Sequence, residues 1–381
     1  MRLWLSRNLI VLTIVSLAQD AASELIYPLM PLLIAGVVGA APLALGIIEG
    51  FAEFIAGITK LYAGKLSDRF GRKRFVIGGY SAATIGKAFV VFSLSWPGIF
   101  AGRTIDRIGK GMRGAPRDAL IHDGVESKDL GKAFGFHRAG DNLGAVIGPL
   151  LALLLLALTN DDVRTVAKWA LIPAILSALF TFLVKEVRTH QTAKTFAKVP
   201  LSPSLKRTIT ILVIIQLTNI PDALLLLRLH DIGFSTKGIV ASYALYMFVA
   251  TLAAYPAGKL ADRLHPKRIY LIGLIFFATA YITLGLTQNH TVALIALAIY
   301  GIFPALTDGV GKAWIGRLSS PEARGYSQGV FQANMSFAIL AAGIWGGALW
   351  SSGGTEIALV IAGFGALIGA FVISQYRSDA I

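Results

Sequence analysis

The sequence predicts an all-α, polytopic membrane protein of twelve transmembrane helices in two pseudo-symmetric six-helix bundles. Three observations carry that prediction. Apolar runs of about 20 residues, the length that spans a hydrocarbon core, recur along the chain. The cations gather in alternate loops. A short basic motif occurs twice, 194 residues apart. The composition agrees: 55% of the 381 residues are hydrophobic and 15% charged, with a mean hydropathy of +0.68. That leaves little polar surface for a soluble fold.

The runs lie at 9–36, 43–63, 75–95, 97–123, 133–158, 163–187, 208–229, 236–257, 268–286, 291–316, 326–350 and 355–374. Their apolar residues do not alternate. In lipid each backbone must satisfy its own hydrogen bonds, so the runs read as helices and not as barrel strands. The first run follows Arg2 and Arg7 and imitates a secretory leader. It continues past any plausible cleavage site into LIYPLMPLLIAGV and is read as an uncleaved first helix.

The net charge is +14, which on a soluble chain would point to nucleic acid. Its distribution gives another cause. Lys65, Arg69, Arg72, Lys73 and Arg74 follow the second span. Lys185, Arg188, Lys194, Lys198, Lys206 and Arg207 follow the sixth, and Lys259, Arg263, Lys267 and Arg268 the eighth. The loops after the first, third, ninth and eleventh spans carry no Lys or Arg. The positive-inside rule then places both termini in the cytoplasm and the chain in the inner (plasma) membrane, with no nucleic-acid partner.

There is no cysteine, so disulfides and thiolate metal sites are excluded. The six histidines show no metal-ligand spacing. No nucleotide loop, hydrolase elbow or zinc signature occurs. The expectation is no cofactor, no metal and no enzymatic activity.

The repeated motif reads GKLSDRFGRKR at Gly64–Arg74 and GKLADRLHPKR at Gly258–Arg268. Each copy falls between the second and third spans of a half. A repeat at half the chain length predicts two related bundles, 1–187 and 208–381, joined by a polar, basic linker at 188–207. The pattern resembles the loop signature of the major facilitator superfamily. The resemblance extends to the twelve helices, the two halves and the central linker. It implies a secondary transporter, expected as a monomer, that exposes a small solute alternately to either side from a midplane site between the halves. It also implies a latch on one access state, formed by Gly64, Asp68, Arg69 and Arg72 and, in the second copy, by Gly258, Asp262 and Arg263. Gly64 and Gly258 would let helices approach closely. Asp68 would face a positive helix end. Arg69 and Arg72 would pair with carboxylates or lipid phosphates. The second copy departs from the first at His265 and Pro266. The run Gly144-Ala-Val-Ile-Gly148-Pro149 resembles a pattern of family exporters: small residues four apart let backbones touch, and proline bends the helix.

Charged residues at mid-membrane cost about 2.5–3.5 kcal/mol each, so they face a cavity or a partner. The fourth span is the extreme case. At 100° per residue, Arg103, Asp106, Arg107, Lys110, Arg113 and Arg117 fall on one face. The segment resembles the family's fourth-helix signature, which implies a coupling role for Arg107. Carboxylates are available on other spans: Asp20 and Glu24 four apart, Glu49 and Glu53 four apart, and Asp141 beside His137. Counting about 1.5 Å per residue puts Asp20, Glu49 and Arg103 at one level in the outer half. The seventh span offers Asn219 and Asp222. Tyr243, Tyr246, Tyr300 and Phe303 are candidate cavity aromatics, and Arg228 is expected to snorkel.

A wholly structural network of this size would be expensive, since apolar packing often replaces buried ion pairs without loss. Asp20, Glu24, Glu49, Glu53, Arg103, Asp106, Arg107, Lys110, His137, Asp141, Asn219 and Asp222 are therefore the candidate substrate and coupling residues. Carboxylates beside cations can be tuned to titrate, so protons are the expected coupling partner, with export as the direction. Two alternatives stand beside this reading: a hard metal ion or its chelate as cargo, and a non-transporting receptor or scaffold.

Overall fold

The computed structural model describes residues 5–126, 129–186, 201–320 and 323–375, and within them the side chains of Lys65, Ala261, Asp262 and Arg324 are not described. The described residues form helices and turns, with no strand. Two compact units result: Met1–Ala40 with Phe51–Lys194, and Ala41–Gly50 with Thr195–Ile381. Of the expected linker 188–207, residues 188–200 lie outside the described residues.

The first unit opens with α1 (Arg7–Ile26), whose N-terminus is capped by the Ser6 hydroxyl accepting from Leu9 N at 3.2 Å. Pro28 and Pro31 lack the amide protons that a regular helix needs. The chain beyond α1 accordingly tightens to a 3-10 turn at Tyr27–Leu29 and then widens to a π-helical stretch at Leu32–Val37. There follow α2 (Pro42–Phe70), α3 (Arg72–Phe92), α4 (Trp96–Asp123) and α5 (Leu130–Leu158). The sixth span is α6 (Val163–Trp169) with α7 (Leu171–Phe180). Helix α4 lies against α3 with almost no side-chain spacing: a Cβ on Gly86 would stand 2.5 Å from the Gly102 carbonyl oxygen. The GxxxGP run of α5 packs on α1 in the same way, with a Cβ on Gly148 falling 2.7 Å from the Ala21 carbonyl oxygen. Leu9, Leu12, Val15, Val76, Tyr80, Leu120, Ile121, Ala133 and Val184 form the apolar core of this unit.

The second unit contains α8 (Pro203–Gln216), α9 (Asp222–Asp231), α10 (Thr236–Arg263), α11 (Pro266–Leu286), α12 (His290–Tyr300), α13 (Ile302–Leu318), α14 (Arg324–Ser351) and α15 (Thr355–Gln375). Helix α8 starts inside the expected linker because Ser202 caps it and Pro203 suits its first turn. Helices α12 and α13 together make the tenth span.

The twelve expected spans are all helical, but two differ in kind from the rest. Ten are long and apolar enough to cross a membrane by length and composition. The others are α4, which carries too many charges, and the α8–α9 pair, which is interrupted at 217–221. The seventh span is thus not one continuous helix. Pro221 removes a backbone donor, and the chain leaves helical geometry before Asp222 restarts it.

The repeated motifs are also not loops. Residues 64–70 extend α2, and α3 begins at Arg72, so only Gly71 breaks the helix, with φ +100. In the second copy 258–263 end α10, and α11 begins at Pro266. The polar composition suggested a loop. The helices instead run past the ends of the expected spans.

Candidate functional site

The α4 stripe forms as expected. Arg103, Asp106, Arg107 and Arg113 are buried, Arg117 is half-buried, and Lys110 is exposed between buried neighbours. Their partners sort into two kinds.

One charged partner on another helix is close, apart from the Arg117–Asp118 pair within α4 at 3.0 Å. Lys87 on α3, a residue the sequence reading passed over, donates from Nζ to Asp106 Oδ1 at 2.6 Å. Arg103 Nη1 reaches the other carboxylate oxygen at 3.5 Å and its guanidinium lies 5.9 Å from the Tyr27 ring centre. Asp106 therefore serves α3 and its own helix.

The other three contacts are long, and each joins α4 to a different helix. Arg107 Nε stands 3.5 Å from Glu53 Oε1 on α2. Arg113 Nη2 stands 3.9 Å from Asp20 Oδ1 on α1, with the guanidinium 4.5 Å from the Tyr80 ring centre. Arg117 Nη1 stands 3.9 Å from Asp141 Oδ2 on α5 while donating to Ser16 Oγ at 3.0 Å. Charge-assisted hydrogen bonds run at about 2.7–2.9 Å, so these three are ion pairs without a fixed hydrogen bond. Lys110 lies in the field of both Glu53 and Asp20.

Depth counting misplaced Asp20. It faces Arg113, ten residues beyond Arg103, about 15 Å further along α4. The count assumed one continuous outer helix, whereas the chain after Ile26 runs through irregular turns to Val37. Glu24 lies on the α1 face against Gly148, its Cβ 2.8 Å from where a Cβ there would stand. Glu49 is buried and belongs to the part of α2 grouped with the second unit. His137 Nε2 and Asp141 Oδ1 are 3.6 Å apart, and neither atom makes a hydrogen bond among the described residues. His137 Nδ1 lies 3.3 Å from Thr13 Oγ1. Gln19, wholly buried one turn from Ser16, has neither amide atom hydrogen-bonded among the described residues.

In the second unit, Asp222 opens α9 at the helix break. Its carboxylate accepts from Tyr300 OH at 2.6 Å and Tyr246 OH at 3.0 Å. Asn219 Oδ1 is 3.3 Å from Tyr281 OH, which also reaches the Ile220 carbonyl at 3.1 Å. Of the candidate aromatics, Tyr246 and Tyr300 reach Asp222, Tyr243 and Phe303 lie against their rings, and all four are buried; Tyr281, whose hydroxyl an apolar span conceals, was missed. Arg228 does not snorkel. It is buried, and its guanidinium donates to the carbonyls of Leu284, Gly285 and Thr287 at 3.0, 3.2 and 3.1 Å, with Glu356 at 3.4 Å. The open carbonyls at the end of α11 offer it better partners than the membrane surface.

The first motif copy is tied down within its own unit. Asp68 pairs with Arg72 at 2.9 Å, and Arg72 also pairs with Asp123. Glu186 accepts from the backbone N–H groups of Arg72 and Lys73 at 3.2 and 3.0 Å, capping α3 from outside. Arg69 lies 5.3 Å from the Phe70 ring centre. A Cβ on Gly64 would meet only Ala115 Cβ at 3.7 Å, and one on Gly258 nothing within 4 Å, so neither glycine is required by close helix approach here. Arg263 is exposed, and the Asp262 side chain lies outside the described residues.

Among the described residues, ten helices are thus long and apolar enough to cross a membrane by length and composition, and one charged helix is joined to three others by long ion pairs. The family model described as Major Facilitator Superfamily matches residues 12–227 and 207–379. An uncharacterized MFS-type transporter of Methanocaldococcus jannaschii is 32% identical over 357 residues, covering 91% of this chain and 89% of that protein. The multidrug resistance protein MdtH of Salmonella arizonae is 23% identical over 345 residues, covering 87% and 83%. The crystal structure of nucleoside transporter NupG superposes with a TM-score of 0.80 at 12% identity, covering 97% of this chain and all of that one. The chain belongs to the Major Facilitator Superfamily, a family of membrane transporters and not of enzymes.

Proposed function

We propose that this transporter is a proton-coupled exporter of a small solute. The observation that carries the reading is the contrast between the 2.6 Å Lys87–Asp106 pair and the three pairs at 3.5–3.9 Å. The short pair has the geometry of a structural clamp. The long pairs bind α4 to α1, α2 and α5 without fixing a hydrogen bond, so a proton or a substrate group can displace one partner at small cost. Glu53, Asp20 and Asp141, with Glu24 and Glu49, are the carboxylates that exchange. Arg107, Arg113, Arg117 and Lys110 set their proton affinity or hold an anionic group. His137 stands beside Asp141 as a further proton-handling group.

Export is supported by the exporter-like GxxxGP run on α5 and by the likeness to a protein named for multidrug resistance. The protein works as a monomer in the plasma membrane with both termini cytoplasmic, in keeping with its loop charges. The repeated motifs act as the latch on one access state, and the bundles 1–187 and 208–381 alternate that access. No three His, Asp or Glu side chains gather as a metal site among the described residues, so the metal-cargo alternative is not developed.

The test is transport by purified protein in liposomes. A thermal-shift panel selects a solute, counterflow confirms it, and a pH gradient of either sign is then imposed. Uphill flux in the direction opposite to proton flow is expected. Flux indifferent to the gradient overturns the coupling, and flux along the proton direction overturns export.

A further inference from the structure

Arg117 divides its guanidinium among three helices of the first unit. Nε and Nη2 each lie 3.0 Å from Asp118 Oδ1 on its own helix. Nη1 donates to Ser16 Oγ on α1 at 3.0 Å, and Asp141 Oδ2 on α5 stands 3.9 Å away. The cation thus gives its hydrogen bond to a neutral hydroxyl while a carboxylate lies about 1 Å beyond bonding distance. The other Asp141 oxygen makes no hydrogen bond among the described residues.

The neighbours of Ser16 account for this arrangement. Its Oγ lies 2.8 Å from Tyr80 OH on α3. Both side chains are sealed, with 1% of Ser16 and none of Tyr80 exposed. The Tyr80 ring is held in turn under the Arg113 guanidinium, 4.5 Å from the ring centre. An acceptor fixed in this way keeps Nη1 where it is. The other charged groups that act on Asp141 are Arg113 and Asp118 on α4, His137 and Arg138 on α5, and Asp20 on α1. Of the arginines, Arg117 comes nearest.

We infer that Ser16, oriented by Tyr80, is a positioning residue that holds Arg117 off Asp141 and so leaves that carboxylate free to take up and release a proton. With Nη1 on Ser16, Asp141 gains a proton without first breaking a charge-assisted hydrogen bond. The inference rests on the proton-coupled reading and names the residue that poises one of its carboxylates.

The test is an infrared titration of the full-length protein in lipid, with the proton itself as the probe. The carbonyl band of protonated Asp141 is identified by its loss in Asp141→Asn, or by its displacement in Asp141→Glu if the first variant does not fold. In Ser16→Ala, Arg117 closes on Asp141, and the midpoint of that band is expected to fall by about one pH unit. Ser16→Thr keeps the hydroxyl and is expected to titrate like the parent. Tyr80→Phe keeps the ring under Arg113 but removes the hydroxyl that orients Ser16, so it moves the midpoint in the same direction by a smaller amount. It decides the matter if Ser16→Ala does not fold. A midpoint unmoved or raised in these variants, or an Asp141 band that does not titrate while the protein stays folded, overturns the assignment. A serine with a structural role alone would lower the melting temperature and leave the midpoint in place. The two readings fail separately. A midpoint that falls as expected, in protein whose flux ignores a pH gradient, removes the coupling reading and leaves the role of Ser16. Gradient-driven flux with an unmoved midpoint removes the role of Ser16 alone.

Discussion

Lys87 Nζ and Asp106 Oδ1 meet at 2.6 Å, both side chains almost sealed from solvent, and so tie α3 to the charged face of α4. Removing one member of a buried pair leaves the other without its best partner. Lys87→Met is expected to cost about 3 kcal/mol, and combining it with Asp106→Leu to recover most of that. Thermal unfolding in detergent reads both. A Lys87→Met protein as stable as its parent would remove the clamp from the account.

Arg228 closes the end of α11 through three carbonyl groups. Arg228→Met should lower stability by about 3 kcal/mol, and Arg228→Lys should restore only part, because one ammonium cannot reproduce the guanidinium fork. A snorkelling arginine would tolerate both changes, so the melting temperatures of the two variants separate the cases.

Gly71 adopts φ +100, and a Cβ there would stand 3.4 Å from Glu186 Oε2, the group that caps α3. Gly71→Ala is expected to destabilise by about 1–2 kcal/mol through its left-handed backbone. Glu186→Ala should cost about 1 kcal/mol as a lost cap. The two effects should not add, since both loosen the same turn, and a double-mutant cycle in thermal unfolding checks this.

The helical spans and the α4 stripe were legible because hydropathy and helical periodicity are local properties. The partners were not. Lys87 sits inside an apolar run, and only the close approach of α3 to α4 shows what it meets. Asp20 was assigned the wrong level because Pro28 and Pro31 spoil the assumption of a uniform rise. Glu186 looked like the end of a span, yet it caps a helix 114 residues away in sequence. The break at 217–221 was half visible in Asn219 and Pro221. The phenols that converge on it come from α10, α11 and α12, and no spacing in the sequence links them.

Asp162 lies just outside the sixth span and caps α6, accepting from Thr165 N at 3.1 Å and from the Thr165 hydroxyl at 2.6 Å. These bonds hold its carboxyl below the ordinary value. A lowered folded-state pKa contributes stability above the unfolded value and loses it as pH falls through the folded one. The stability gap between the parent and Asp162→Ala should therefore be present at pH 6 and shrink as the pH is taken below the ordinary carboxylate range. A gap that is constant with pH, in melting curves across that window, contradicts the cap.

The central claim is that the long α4 pairs exchange during transport while the short one holds the bundle. Glu53, 3.5 Å from Arg107, tests it most directly. In liposomes, Glu53→Gln should abolish uphill flux driven by a pH gradient while solute exchange without a gradient continues. Full gradient-driven flux in Glu53→Gln, from protein that folds and inserts like its parent, would contradict the account.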